Sequence, residues 1–366
     1  MTTEAPSRVS HFFDKWFPTP QFILPNASGI DISDSSIKWI TLEGEKGRLA
    51  IESWGNQPLA PGIVVGGAVQ DIEALTHALE EIKPHLMTSA AHAALPEEAA
   101  YVFGMQAPRG SDRKAILGMI EFELDGRVPI PPSAAVYDFN VIEETTEGIE
   151  IGISVFPKEI AEHYTASFEG AGIELLSLET EARAIARSVS SSDSGEPITL
   201  LVDFGRARTG FAVVKRGTPI FTSTVEVGGN SVHAALQRMF GMNAEEAQHY
   251  ANYEGLVAGT GPHSGLEALL PTASALADEI ERHFHYWDTR RNDKGERVTP
   301  VGRIALLGGS ANMRGLPEYI AGRVHAPVDL GNTWRHVCNF DEYIPTIDRK
   351  TSLQFGTAVG LALRTL

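Results

Sequence analysis

The order of apolar and polar positions predicts one arrangement used twice. From Gly29 the chain reads GIDIS, SIKWITL and RLAIESW, three runs of near-alternating hydrophobicity separated by polar turns, which predicts a three-strand meander. After a small polar linker at Ser190–Gly195 the pattern returns as Ile198–Phe204, Thr209–Lys215 and Pro219–Val225. Placing Asp31 over Asp203 aligns DISDSSIKWI with DFGRARTGFA. Each copy has an Asp at a strand end, a tight turn and a second strand. Identity between them is low, so the repeat is one of architecture.

Between the copies, Asp71 is placed to cap a helix whose apolar face is Leu75, Leu79, Ile82 and Leu86. Ala91–Leu95 and Ala99–Phe103 read as short strands. Ser111 is expected to cap a helix bearing Ile116, Leu117 and Ile120. VPIPPS is a rigid loop, because consecutive prolines donate to no ladder. Val136–Glu143 and Ile149–Phe156 read as paired strands, and Pro157 opens a helix that stops at Gly170–Gly172. After the second meander, helices are expected at Asn230–Phe240, Ala244–Glu254 and Leu266–Arg291, with Pro271 marking a kink or start. Strand Arg303–Leu307 runs into Gly308-Gly309-Ser310, and a helix begins near Leu316.

Composition narrows the possibilities. A chain of 366 residues, 43% hydrophobic and 21% charged, is globular and long enough for two or three domains. The net charge of −17 opposes general binding to nucleic acid or anionic lipid. One cysteine, Cys338, closes no intrachain disulfide and builds no Cys-rich zinc site, so a reducing compartment is expected. The N-terminus lacks the charged start and apolar core of a signal peptide. Ser53–Gln70 carries no charge, but Pro58, Pro61 and four glycines exclude a spanning helix, and Thr351–Leu363 is too short to span. No direct membrane insertion is expected. The leader holds an aromatic cluster, Phe12, Phe13, Trp16 and Phe17, read either as an arm on its own domain or as an anchor.

Candidate chemistry sits at the turns. Hairpin N–H groups pointing outward make an anion nest, and two such turns on facing lobes would grip a polyphosphate from both sides. Asp31 and Asp203, at the strand ends, suit Mg²⁺ held through waters. Lys38, seven residues after Asp31, is a point charge for the same phosphates. VEVGGNSVHAAL and LLGGSANMRGL each bring glycines to the start of a helical turn, another anion-binding arrangement. Taken singly, each piece is ordinary turn chemistry; their order is what is specific. His249, His263, His283 and His285 form no metal spacing. Glu80–Glu81, Glu97–Glu98 and Glu143–Glu144 read as solvated acidic faces.

The ordered set resembles the actin-like ATPase superfamily, and within it the PilM family of type IV pilus assembly proteins, from about Gly29 to Leu366. GIDISDSSIKWITL and LLVDFGRARTGFAVV resemble the two phosphate loops; VEVGGNSVHAAL, LLGGSANMRGL and FGTAVGLALR match the later motifs in order. The middle block, LGMIEFELDGRVPIPPSAAVYDFNVIE followed by ISVFPKEIAEHYTASFEGAGIELLSLETEARAIAR, looks like the inserted small subdomain (1C, SHS2-type) that PilM shares in position with the division protein FtsA. The resemblance implies an α/β actin-like fold of two duplicated, ribonuclease H-like lobes with a small α+β insertion. The expected division is leader 1–28, first lobe 29–86, insertion 87–177, return and connecting helix 178–197, second lobe 198–345 and C-terminal connecting helix 346–366.

By the same resemblance, ATP and Mg²⁺ are the expected cofactors. Asp31, Ser35, Ser36, Lys38, Gly205, Thr209, Gly228, Gly229, Gln248, Gly308, Gly309 and Ser310 would bind nucleotide, Asp31 and Asp203 the metal, and Asp203 and Glu181 would serve slow hydrolysis. The first loop departs from the family's Gly-Ser with Ser33-Asp34. A carboxylate about 4 Å from a phosphate costs about 4 kcal/mol at an effective dielectric near 20. Arg206 and Arg208 in the second loop either offset Asp34 or pair with it and close the site. AEEAQHYANYEGL supplies Glu245, Glu246 and Gln248 where the family carries a Glu and a Lys.

The expected function is a cytoplasmic, ATP-binding adaptor held at the inner face of the membrane through partners. Its main partner would be the N-terminal cytoplasmic peptide of a PilN-type inner-membrane protein, with pilus motor or platform proteins as further partners. The peptide groove is expected between the first lobe and Met87–Ile173. Competing readings are an FtsA-like division scaffold, disfavoured by an ending at Arg364-Thr365-Leu366 without an amphipathic tail; a small-molecule kinase, which lacks a spare carboxylate base; and a degenerate scaffold without nucleotide.

Overall fold

The computed structural model describes residues 26–45, 48–193, 195–257, 265–291, 295 and 297–364. The leader aromatics and His263 lie outside the described residues.

The first meander forms as the alternation predicts: β1 (Ala27–Ser33), β2 (Ser36–Glu45) and β3 (Arg48–Pro58) pair antiparallel. Ile30, Ile37 and Ile40 are fully buried. A small hairpin follows, β4 (Val64–Val65) and β5 (Ala68–Val69), turning through Gly66 and Gly67 at φ of +60° and +73°. Two consecutive left-handed residues make the tight turn that glycine alone takes without strain. Asp71 caps α1 (Ile72–Ile82), accepting from the Ala74 N–H at 2.9 Å, and the helix buries Leu75, Leu79 and Ile82.

β6 (Ala90–Leu95) then runs parallel to β1. A 3₁₀ turn occupies Glu97–Ala99, so the next strand, β7 (Tyr101–Ala107), begins later than the expected Ala99. The cap of α2 (Arg113–Arg127) is Asp112; the Ser111 hydroxyl instead donates back to the Pro108 carbonyl. A carboxylate next to the first turn outcompetes a hydroxyl one position too early. β8 (Ala135–Glu144) and β9 (Ile149–Pro157) pair antiparallel, α3 (Lys158–Gly170) returns to pack on α1, and β10 (Glu174–Thr180) lies parallel to β6. α4 (Glu181–Val189) leads to the second half.

The second half repeats the plan with β11 (Ile198–Phe204), β12 (Thr209–Lys215) and β13 (Thr218–Val225), then α5 (Gly229–Phe240), α6 (Ala244–Tyr253) and α7 (Leu266–Thr289). Pro271 lies inside α7, within its first two turns. β14 (Val301–Leu307), α8 (Leu316–Val324), β15 (Val328–Leu330), α9 (Arg349–Ser352) and α10 (Gly356–Ala362) complete it.

The first sheet has the order β10-β6-β1-β2-β3, and the second begins β15-β14-β11-β12-β13. In each, two parallel neighbours precede an antiparallel meander. The duplication anticipated from Asp31 and Asp203 is thus a repeat of five strands. The fold is the actin-like α/β fold of two lobes.

The segment 87–177 contributes strands to both sheets. β6 and most of β10 complete the first. β7, β9 and β8 extend the second through one pair, Phe221↔Phe103, making eight strands. Side chains reinforce that seam: Lys215 to Glu150 at 2.6 Å and Arg216 to Glu143 at 2.9 Å. Between the lobes, α10 lies directly on β1 and α4. A Cβ on Gly29 would stand 2.0 Å from the Ala358 carbonyl, and one on Gly360 would stand 1.7 Å from that of Ala184. Among the described residues, no helix is long and apolar enough to cross a membrane.

Candidate functional site

The two meander turns face each other across a cleft of about 470 Å³. Asp31, at the end of β1, and Asp203, at the end of β11, both line it. Asp31 is 7% exposed, and Lys38 on the neighbouring strand donates to its Oδ2 at 3.4 Å. Burial, with the charge of Asp31 second, pushes the Asp203 carboxyl up to about 6. Gly308 presses on Asp203: at φ +83° its missing Cβ leaves the room that Asp203 Oδ1 occupies.

Ser35, Ser36, Lys38, Gly205, Gln248, Gly308, Gly309 and Ser310 line the same cleft. Thr209, Gly228 and Gly229 sit behind the second turn. The Thr209 hydroxyl is buried and donates to the Val227 carbonyl, while the Gly229 N–H donates to Gly205 and the Asn230 N–H to Arg206. They fix the turn's shape. None of the residues Ser33–Ser36 has positive φ, so the absence of glycine from the first turn costs no backbone strain.

The floor of the cleft is acidic. Glu181 begins α4, and burial, then the charges of Glu98, Asp31, Glu97 and Asp203, hold its carboxyl well above the ordinary range. Glu97 was expected on a solvated face; it is 6% exposed. Its Oε2 accepts from the Ala182 N–H at 2.9 Å, capping α4 beside Thr180, which accepts from Arg183. Burial pushes the Glu97 carboxyl up to about 7. The missed signal was its position directly after the wholly buried β6, matching Asp31 and Asp203 at strand ends.

The charge of Asp34 is answered from the other lobe. Arg208, in the second turn, donates to Asp34 and to Glu98. Both Asp34 oxygens also accept backbone N–H groups, Oδ2 from Gly66 at 3.1 Å and Oδ1 from Gly67 at 2.9 Å. Of the two readings of the arginines, pairing holds for Arg208; Arg206 lines the cleft. His233, Asn230 and Gln248 form another part of the wall. His283, excluded as a metal ligand, packs against the rings of Phe211 and Phe221.

Comparisons with known proteins agree with the fold. The family model "Type IV pilus assembly protein PilM" matches residues 29–366. Among solved structures, a PilM-PilN type IV pilus biogenesis complex superposes with a TM-score of 0.74, at 21% identity, over 93% of this chain and 98% of that one. MreB 5 of Spiroplasma citri bound to AMPPNP gives 0.53 at 12% identity, covering 93% and 96%. Ethanolamine utilization protein EutJ of Escherichia coli (strain K12) is 26% identical over 164 residues, 43% of this chain and 50% of that protein, so the chain spans half the length of that relative. The chain belongs to the type IV pilus assembly protein PilM family.

Proposed function

We infer that this PilM-family chain is a nucleotide-binding adaptor: it takes ATP with Mg²⁺ into the cleft and an extended peptide of a PilN-type inner-membrane protein onto the insertion. One observation carries the nucleotide half. Asp31 and Asp203, at the ends of equivalent strands in the two lobes, converge with Lys38 on a single cleft.

The residues present fit the ligand. The volume falls in the range of small-molecule sites. A Cβ on Gly309 would meet nothing nearer than 3.7 Å, so the backbone there is open to close approach. The unfavourable charge of Asp34 is matched by Arg208. Asp31 and Asp203 would hold Mg²⁺ through its waters, and charging Asp203 becomes favourable once a cation is near. Lys38 and the Gly308–Ser310 turn would face the phosphates; Gln248, Asn230 and His233 would face the nucleoside. Bound ATP supplies a phosphoanhydride. Glu181 would orient a water, but a carboxyl whose charge is disfavoured is held protonated and is seldom free to accept a proton, so hydrolysis would be slow. Slow turnover suits a switch.

The peptide half rests on β8, the edge strand of the eight-stranded sheet on the insertion side. Its start, Val136, packs against the first-lobe core, and Val141 further along is 55% exposed. An open strand edge beginning at a lobe seam suits β-augmentation by an extended apolar segment. Such an adaptor would work at the cytoplasmic face of the inner membrane, held there by its partner.

Titration of a fluorescent ATP analogue tests the first half. Mg²⁺-dependent binding is expected, lost in Asp203→Ala; equal binding by the two chains removes the reading. A pull-down with the partner's cytoplasmic tail tests the second, which fails if disrupting Val136–Val141 leaves capture unchanged. The nucleotide-free scaffold reading draws support from one feature, the Asp34–Arg208–Glu98 bridge across the cleft.

A further inference from the structure

We propose that Asp34 is a built-in plug in an anion cradle, and that with the plug seated the cleft takes nucleoside diphosphates in preference to triphosphates. The inference rests on the nucleotide reading above and deepens it.

The cradle has three donors from separate elements. Two are the N–H groups of Gly66 and Gly67, which the paired left-handed turn aims in one direction. The third is the guanidinium of Arg208, reaching over from the second lobe. The turn is held rigidly. The buried Tyr164 hydroxyl donates to the Gly67 carbonyl at 3.0 Å, and Gly67 packs so close to Pro96 that a Cβ would stand 2.0 Å from its ring. Those donors are therefore fixed in place whether or not Asp34 sits on them. Asp34 itself is partly exposed and belongs to a short turn, so its side chain is the movable member.

The cradle opens on the same cleft as Asp31, Lys38 and Asp203: Asp34, Gly67, Glu98 and Arg208 all line it. Two converging N–H groups and a planar guanidinium suit a tetrahedral oxyanion as well as a carboxylate. A diphosphate leaves the plug undisturbed. A third phosphate brings further negative charge toward the Asp34 carboxylate and gains the cradle only by expelling it, which also frees Arg208 from its tie to the first lobe.

The test measures ADP and the non-hydrolysable triphosphate AMPPNP by calorimetry at fixed Mg²⁺, on the wild-type chain, Asp34→Ser and Asp34→Asn. It adds a thermal-shift series with inorganic phosphate alone. ADP is expected to bind the wild type at least tenfold more tightly than AMPPNP, with the preference lost or reversed in Asp34→Ser. Phosphate should raise the melting temperature of Asp34→Ser and leave that of the wild type unmoved. Should Asp34→Ser fail to fold, Asp34→Asn keeps the volume without the charge and is scored by the same ratio. A wild type that binds AMPPNP as well as ADP, or a ratio unchanged on removing the charge, overturns the proposal. If no chain binds nucleotide, the reading of the cleft fails separately. The phosphate series then decides the cradle: a shift confined to Asp34→Ser upholds it, and no shift overturns it.

Discussion

Gly308 touches Asp203 so closely that a Cβ at position 308 would stand 2.5 Å from its Oδ1, and 2.4 Å from the Phe204 carbonyl. The Gly308–Ser310 turn thus sets the position of the second-lobe carboxylate. With φ at +83°, Gly308→Ala combines backbone strain with a clash and should cost about 2–3 kcal/mol in urea unfolding. Mg²⁺-dependent nucleotide binding should fall with it. Gly309→Ala, whose Cβ has room, should keep the stability.

Asp203→Asn should separate function from stability. The wild-type carboxyl, pushed up to about 6, is charged at pH 7 at a cost, mainly of burial and then of Asp31. Removing that charge should raise the unfolding free energy at pH 7 by about 1–3 kcal/mol while abolishing Mg²⁺-dependent binding. A variant no more stable than wild type would contradict the electrostatic account.

Glu97 predicts a slope of stability with pH. Its carboxyl titrates near 7 in the folded chain against an ordinary value of 4.5, so between those values the folded state holds more protons than the unfolded. Its contribution is full below pH 4.5 and is lost as pH rises through 7, about 3 kcal/mol in all. Glu97→Gln should flatten that part of the melting-temperature profile.

Arg183 joins three parts of the molecule. From α4 its guanidinium donates to the Gly217 carbonyl, to Thr218 Oγ1 at 3.2 Å and to Asn140 Oδ1 at 3.4 Å. Arg183→Met keeps much of the packing and removes these donors. It should cost about 1–3 kcal/mol and speed amide exchange in the β12–β13 turn and in β8, leaving β1–β2 unchanged.

How much of this was legible in the sequence depended on distance along the chain. The meanders were readable because each strand's partner is its neighbour and alternation marks the buried face. β10 received no assignment: a short parallel strand gets its partner from β6, some eighty residues earlier, and ELLSLET carries weak alternation. The shared seam at Phe103 and Phe221 left no local signal for the same reason. At the site, Asp31 and Asp203 were legible as neighbours in one cleft because strand-end carboxylates stand out in the pattern, and Lys38 because it lies on the strand paired with that of Asp31. Thr209, Gly228 and Gly229 were placed one layer too far forward, since a motif gives spacing without saying which side faces the cleft. Glu97 was missed because a Glu-Glu pair reads as surface until its neighbours are known. The partner of Asp34 was one of two arginines in sequence, and only the closed cleft selects Arg208.

The contact of Gly29 with Ala358 has a consequence for synthesis. β1 leaves the ribosome more than three hundred residues before α10, the helix that seals it. The first lobe therefore waits, with one flank uncovered, until α10 has been made. Its final closure is a long-range step that follows synthesis of the second lobe.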